Sequence, residues 1–253
     1  MSDPVRRLKT YGRDLSTIPI SRVPTDLEKC CFICVNTYKS YRLNLGVGPM
    51  NDAVSWAKCM ANYGFHIFFL HNPHSRNFLK YLDTFFANTS QHLVVYYVGH
   101  GTSVTDLNGD EDDGKDEAFV FDDGVITDDD LIDHLLENKH QDSVLTLVTD
   151  ACHSGTIWDI QAGNVHGREL PPHIMSVSAA SDVQTAKQTM ISSQEQGVFT
   201  HNLTKILKTS PSATPTEIGQ KIKAALKKYQ QSFVVGTTSP ELLNEPLFTQ
   251  ETA

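Results

Sequence analysis

The chain has 253 residues, of which 40% are hydrophobic and 20% charged, a composition typical of folded globular proteins. This length accommodates one large α/β domain with a well-buried core. The formal charge of -9 argues against nucleic acid as the main partner. No apolar run approaches the ~18 residues that cross a bilayer, and residues 1–10 lack the apolar core of a signal peptide. We therefore expect no membrane association.

The five cysteines do not resemble a disulfide framework, because their number is odd and three of them lie in one apolar run, Cys30 to Cys34. This usage favours a reducing compartment, and we expect a cytoplasmic protein. Cys31 and Cys34 have the spacing of a metal or redox pair. Positions three apart on a strand point to opposite faces, however, and no second pair exists, so we predict that both pack in the core.

Residues 1–26 are predicted to form a basic N-terminal arm, followed by a single domain over residues 27–253. The arm has scattered prolines and no clear periodicity. One interpretation is a surface-draped or partly disordered segment. The other is a basic segment that lies over an acidic active-site cleft and restrains it. Its basic residues are Arg6, Arg7, Lys9, Arg13 and Arg22.

Hydrophobic periodicity predicts alternating strands and helices along the domain. Strands are expected at 30–35 and 65–70, before His100, before Cys152, and at 174–179. Helices are expected from 51, over 75–86, 127–137 and 199–207, and after the capping box at Thr214. A small hairpin is expected around 118–126. Residues 181–196 show no helical or strand pattern over most of their length, and a final short strand or ordered extension is expected from Ser239.

Two of these strands end at reactive side chains. Residues 94–99 and 145–150 are near-continuous apolar runs, typical of parallel strands buried on both faces. The first is followed by His100 between two glycines, and the second by Cys152. Ligands bind beyond the carboxyl ends of such strands. The pattern therefore indicates a Cys–His nucleophilic hydrolase.

Other histidines and cysteines fit this chemistry less well. His153 adjoins Cys152, but adjacent side chains at a strand end point away from each other, so His100 is the better base. A lone buried cysteine is more often inert. Cys152 lies 52 residues after His100, and this agrees with the caspase arrangement, in which the histidine lies ~50 residues upstream.

The blocks Tyr96–Gly101 and Asp150–Gly155 resemble the two signature blocks of metacaspases. The resemblance covers roughly residues 30–207. It implies a caspase-like three-layer α/β fold, with a central, mostly parallel sheet flanked by helices on both faces. It also implies a cysteine endopeptidase that cleaves after Arg or Lys, works as a Cys–His dyad and tends to be monomeric. The oxyanion would then be held by the backbone N–H groups of Gly101 and Cys152.

The predicted specificity pocket is acidic. Asp150 lies two residues before Cys152 and shares its strand face, and the resemblance places Asp52 in the same pocket. Two carboxylates would favour a basic P1 side chain, each by ~1.5–3 kcal/mol. The alternatives are a helix-start acid for Asp52 and a strand-end acid for Asp150. The chain departs from the family at Pro49, commonly cysteine, and at the pocket residue Val98, commonly serine.

A calcium site is expected from the acidic segment. Twelve of the thirty acidic residues lie between positions 106 and 130, against one base, Lys115. Residues 106–110 begin like an EF-hand loop, but Glu111 replaces the required glycine. The resemblance points instead to four carboxylates, and the alternative for the two at the helix start is a role at the helix dipole. The predicted calcium ligands are Asp116, Asp128, Asp129 and Asp159.

Two other functions remain open at this point. One is a catalytically silent caspase-fold regulator or binding protein, which the pair of His100 and Cys152 disfavours. The other is an enzyme that cleaves after Asp, which the acidic pocket disfavours. Self-cleavage after Arg168 or Lys187 is a further hypothesis.

Overall fold

The computed structural model describes residues 3–105, 115–152, 157–158, 160, 164–165, 167–181, 188–191 and 194–250. Asp159 and Lys187 lie outside the described residues. The helices are α1 (Pro4–Lys9), α2 (Gly48–Asn62), α3 (Ser75–Asn88), α4 (Asp128–Asn138), α5 (Val198–Thr209) and α6 (Pro215–Lys227). The strands are β1 (Gly12–Asp14), β2 (Leu27–Val35), β3 (His66–His71), β4 (Thr89–Val98), β5 (Gly101–Thr105), β6 (Lys115–Phe121), β7 (Gly124–Thr127), β8 (Val144–Asp150), β9 (Asn164–Val165), β10 (Arg168–Glu169), β11 (Ile174–Ser181), β12 (Gln188–Ile191), β13 (Gln194–Gly197) and β14 (Gln231–Thr237).

A seven-stranded sheet forms the centre of the molecule, in the order β1-β3-β2-β4-β8-β11-β14. All neighbouring pairs are parallel except β11 with β14, which is antiparallel. Three small antiparallel sheets accompany it, formed by β5-β6-β7, by β9-β10 and by β12-β13. The predicted central, mostly parallel sheet is confirmed.

Alternate residues of the central strands enter two separate hydrophobic cores. Cys31, Ile33 and Val35 of β2 pack with side chains of α1, α2, α5 and α6. Cys30, Phe32 and Cys34 pack on the other face with side chains of α3 and α4. The sheet therefore lies between two helical layers, which explains the continuous apolar runs. Cys31 and Cys34 belong to different cores, as their spacing predicted.

The first residues of the chain extend the sheet. β1 pairs with β3, where a Cβ at Gly12 would lie 2.7 Å from Cγ2 of Ile67. Leu8 and Leu15 are buried in the two cores. The residues described between 3 and 26 therefore lie at the edge of the sheet, separated from β4 by β3 and β2.

Besides the helix and strand formed by the first residues, the structure differs from the sequence expectation in the carboxyl-terminal third of the chain. The polar segment after Ser181 contains the hairpin β12–β13, and β14 follows α6. Neither strand of the hairpin has an apolar run in its sequence. Most of β14 also lacks one, because β14 is an edge strand whose side chains are mostly half-exposed. The final segment contains a short 3₁₀ helix, Pro240–Asn244, so of the two alternatives for this segment it fits the ordered extension and not the strand. The capping box at Thr214 is present as predicted.

Candidate active site

The pairing of β4 with β8 brings the two reactive residues to the same edge of the sheet. Val98 pairs with Asp150, and the Gly99 N–H donates a 3.3 Å hydrogen bond to the Asp150 carbonyl. His100 and Cys152 each follow two residues after this pair. A Cβ at Gly101 would lie 1.9 Å from the carbonyl oxygen of Cys152, so only glycine permits this approach. The backbones that carry the imidazole and the thiol are therefore in contact.

Hydrogen bonds on several sides orient His100. Its backbone N–H donates to the Tyr38 hydroxyl at 2.6 Å, and its backbone carbonyl accepts from the Tyr97 hydroxyl at 2.8 Å. Its Nε2 lies 2.8 Å from the carbonyl oxygen of Leu43. Because a carbonyl only accepts, Nε2 carries the proton, and Nδ1 of the neutral ring is left as the acceptor. The imidazole is thereby held in the tautomer that a general base requires.

Cys152 is held as a neutral thiol in this conformation. It is 4% exposed, and burial, with a smaller contribution from the charge of Asp150, raises its pKa to about 11. A thiolate, rather than a thiol, is the reactive nucleophile. Cys152 therefore needs a neighbouring base to react at neutral pH.

A cavity next to Cys152 contains both predicted pocket carboxylates. We call it the acidic cavity, and Asp52 in the first turns of α2 and Asp150 at the end of β8 supply its charge. It is lined by Leu45, Pro49, Asp52, Val98, Gly99, Asp150, Ala151, Cys152, Gly197 and Gln231. The structure thus brings Asp52, Val98 and Asp150 together with Cys152, and it places Pro49 at the same wall.

The amino-terminal end of α5 closes the acidic cavity. The Gly197 N–H lies 2.8 and 2.9 Å from the two carboxylate oxygens of Asp52. Thr200 donates to Asp150 through Oγ1 at 2.5 Å and through its backbone N–H at 3.3 Å. The positive end of the helix dipole thus faces two carboxylates. The remaining volume is about 20 Å³, enough for one water but not for a lysine or arginine side chain.

Three of the four predicted calcium ligands lie within the described residues. Asp116 is in β6, and Asp128 and Asp129 begin α4. Asp128 accepts hydrogen bonds from the Glu117 N–H at 3.1 Å and the Asp129 N–H at 2.9 Å. Burial, reinforced by the charges of Asp116 and Asp129, raises the pKa of Asp128 to about 7. Among the described residues, no group of three or more His, Cys, Asp or Glu side chains is arranged to hold a metal ion.

Sequence reasoning missed the residues that act through backbone atoms or from distant segments. Leu43 contributes a carbonyl, and no residue type signals that role. Tyr38 and Thr200 meet the site only through the folded topology. Gly197 had one local signal, since it directly precedes the periodic pattern of α5, where it is the N-cap residue.

The fold and the site define a caspase-like α/β protein. A sequence profile of the caspase domain matches residues 27–250. The chain therefore belongs to the caspase domain family.

None of the helices in the described part of the chain is long and apolar enough to cross a membrane.

Local sequence similarity is to metacaspases. The chain is 38% identical over 78 residues to Metacaspase-1 of Saccharomyces cerevisiae, and the matched segment covers 29% of this chain and 18% of that protein. It is 41% identical over 73 residues to Metacaspase III c of Phaeodactylum tricornutum, covering 27% of this chain and 22% of that protein. The matches span about a fifth of the length of these curated relatives.

Solved structures support the fold alone. A protein of Geobacter sulfurreducens superposes with a TM-score of 0.65 at 17% identity, covering 88% of this chain and all of that one (100%). The Drosophila initiator caspase Dronc superposes with a TM-score of 0.56 at 15% identity, covering 83% of this chain and 80% of that one.

Thr200→Val tests how Asp150 is stabilised. Burial raises the pKa of Asp150, and the two hydrogen bonds from Thr200 oppose that rise. Losing Oγ1 raises the pKa further, so the added destabilisation should grow as pH rises through the folded pKa of wild-type Asp150, which lies above the unfolded carboxyl value of about 3.9. We expect a loss of about 1–3 kcal/mol at pH 8 and a smaller one at pH 4.5, from urea unfolding.

Thr204→Val is the matched control, because its Oγ1 donates only to carbonyls of its own helix. Thr200 Oγ1 also contacts the Tyr96 hydroxyl at 2.7 Å, but that bond does not titrate in this range. An equal loss at both pH values would show that Asp150 is not stabilised as described.

Asp150→Asn should lower the pKa of Cys152 below its value of about 11, because the charge of Asp150 contributes to the shift. Burial remains, so the pKa should stay above the ~8.5 of a free thiol. The measurement is the pH dependence of iodoacetamide modification at Cys152, followed by peptide mass spectrometry. Asp52→Asn is the control and should leave this pKa unchanged. Identical profiles for wild type and Asp150→Asn would contradict the electrostatic assignment.

Proposed function

We propose that this protein is a cysteine endopeptidase that hydrolyses peptide bonds after Arg or Lys, with Cys152 as nucleophile and His100 as base. The observation that carries the proposal is the β4–β8 pairing, which sets both residues at one sheet edge beside two carboxylates. Membership of the caspase domain family and local similarity to metacaspases support the reaction class.

In the proposed reaction, Nδ1 of His100 accepts the Cys152 thiol proton as the sulfur attacks the scissile carbonyl carbon. The tetrahedral oxyanion is stabilised by the N–H groups of Gly101 and Cys152. The intermediate collapses to a thioester, and the leaving amine takes the proton from His100. Water then attacks the thioester, with His100 again accepting a proton, and the acid product and free thiol are released. The Leu43 carbonyl orients the ring throughout.

Substrate specificity follows from charge. A guanidinium or ammonium group entering the acidic cavity would replace the donors of Gly197 and Thr200 at Asp52 and Asp150. The cavity must therefore open, with the start of α5 moving away, before a basic side chain binds. An aspartate would be repelled. Val98 and Pro49 add no polar side-chain contact, so the two carboxylates carry the selectivity.

Calcium is proposed as an activating ion, with Asp116, Asp128, Asp129 and Asp159 as its ligands by family resemblance. The three described aspartates are not arranged to hold a metal ion in this structure, so they would have to move together on binding. The raised pKa of Asp128 supports the calcium proposal, since a hard cation would offset the burial and the repulsion among neighbouring carboxylates. When bound, the ion would supply charge neutralisation and order next to β6 and α4.

The same proposal includes a cytoplasmic monomer that acts on basic-P1 peptides or proteins. The free state of all five cysteines is consistent with a reducing compartment. A catalytically silent binding protein is the second candidate. The closed acidic cavity and the neutral Cys152 thiol favour it, while the orientation of His100 by Leu43 favours an enzyme.

Fluorogenic peptides with Arg, Lys or Asp at P1, assayed with and without calcium, separate these functions. We expect cleavage after Arg and Lys only, and none with Cys152→Ala or His100→Ala. Asp150→Asn should lower kcat/KM for Arg by about 10- to 150-fold, the value of one charge-assisted hydrogen bond. Cleavage after Asp would refute the proposed specificity, and inactivity of wild type under all conditions would favour the silent protein.

Calcium should raise the melting temperature of Cys152→Ala, a variant chosen to prevent self-cleavage during the scan. Asp128→Asn in that background should remove most of the shift, because the charges of both Asp116 and Asp129 act on Asp128. Asp130→Asn is the matched control on the same helical turn, and its exposed side chain should not matter. Equal shifts in both variants, or the same shift with magnesium, would refute the assignment.

Self-cleavage should occur after Arg168 or Lys187 when the active protein is incubated with calcium. Arg168 is exposed next to the short β9–β10 pair, where it forms an ion pair with Asp133. Intact-mass spectrometry detects the cut, and Cys152→Ala should remain whole. An active sample that stays uncut at both positions would remove this hypothesis.

A further inference from the structure

A second cavity lies between helices α2 and α5, on the outside of the sheet. Its volume is about 390 Å³, within the ~300–1,000 Å³ that small-molecule sites occupy. We call it the basic groove, and it shares no lining residue with the acidic cavity. It is lined by Ser55, Lys58, Cys59, Asn62, Tyr63, His201, Thr204, Lys205, Leu207, Lys208, Pro211 and Gln250.

The basic groove concentrates positive charge in a chain whose formal net charge is -9. Lys58 comes from α2, and Lys205 and Lys208 come from α5, three positions apart and therefore on one helical face. No aspartate or glutamate lines the groove. Like charges that line one groove repel one another, and an anion placed between them would relieve the repulsion.

These three lysines have no compensating partner within the part of the chain that the structure describes. The side-chain ammonium group of none of them forms an ion pair or a hydrogen bond there. Other lysines are engaged: Lys29 donates to the Tyr63 carbonyl at 2.6 Å, and Lys221 donates to Ser210 Oγ at 2.8 Å. The positive charge of the basic groove is therefore available to a ligand.

The floor of the basic groove is apolar and rigid. The side chains of Tyr63 and Leu207 are buried beneath it. The Tyr63 hydroxyl donates to the Pro211 carbonyl at 2.6 Å, which fixes the ring. Contact with a preformed apolar wall favours a ligand with a flat hydrocarbon body, because neither wall nor ligand then loses much conformational freedom on binding.

We propose that the basic groove binds a small organic anion, with a carboxylate or phosphate held by Lys58, Lys205 and Lys208 and an apolar body against Tyr63 and Leu207. The site is distinct in charge from the acidic cavity, so a basic P1 side chain and this anion do not compete. The proposal does not depend on peptidase activity.

The test uses 1-naphthoate and 1-naphthyl phosphate as probes, with neutral 1-naphthol as the comparator of the same shape. Isothermal titration calorimetry on the full chain should show one site for at least one of the two anions, and no binding of 1-naphthol at equal concentration. The preferred anion identifies the head group. Affinity should fall with added salt, since exposed cations supply the attraction.

Lys58→Ala and Lys205→Ala should each weaken binding about fivefold, the value of a partly exposed ion pair. Lys223→Ala, at an exposed position of α6 outside the groove, is the matched control and should bind as wild type does. All three positions are exposed, so the variants should fold, and circular dichroism checks this. Equal binding of 1-naphthol, no binding of either anion, or unchanged affinity in both groove variants would overturn the proposal.

Discussion

The parallel pairing of β4 with β8 is the interaction on which the rest of the molecule depends. Both strands are buried on two faces, so a one-residue shift of their register would exchange side chains between the two cores and disrupt the packing of both. The register is therefore strongly determined, and it sets Val98 opposite Asp150. Because His100 and Cys152 follow this pair by equal steps, packing within the two cores places both residues at the same edge of the sheet. Gly101 then allows the two backbones to touch.

Two carboxylates lie next to a buried thiol, where their negative charges are unfavourable, and the amino-terminal end of a helix stabilises them. Asp52 and Asp150 would repel each other if they faced only apolar walls, and the charge of Asp150 already contributes to the raised pKa of Cys152. The amino terminus of α5, through Gly197 and Thr200, supplies donors and a positive dipole to both. The same contacts exclude a basic side chain. Under the proposed specificity, the contacts that stabilise the resting protein would therefore have to break before a basic substrate side chain could bind.

The sequence was informative where burial imposed a pattern. The apolar runs of β2, β4 and β8 predicted buried parallel strands, and the capping box at Thr214 predicted the start of α6. The polar strands β12 and β13 carry no such pattern in their sequence, and their backbone pairing is seen only in the folded chain. Within the site, Cys152, His100, Asp52 and Asp150 have side-chain chemistry that can be recognised. Leu43 and Gly197 act through backbone atoms, which any residue possesses, so only the folded chain reveals them.

The most direct test is a crystal structure of the protein covalently inhibited by a peptide chloromethyl ketone with arginine at P1. A bond from the Cys152 sulfur to the inhibitor is expected, with the guanidinium between Asp52 and Asp150 and the Gly197 N–H displaced from Asp52. Modification of Cys152 with the arginine side chain bound elsewhere, while Gly197 stays on Asp52, would contradict the assignment of the acidic cavity as the specificity pocket.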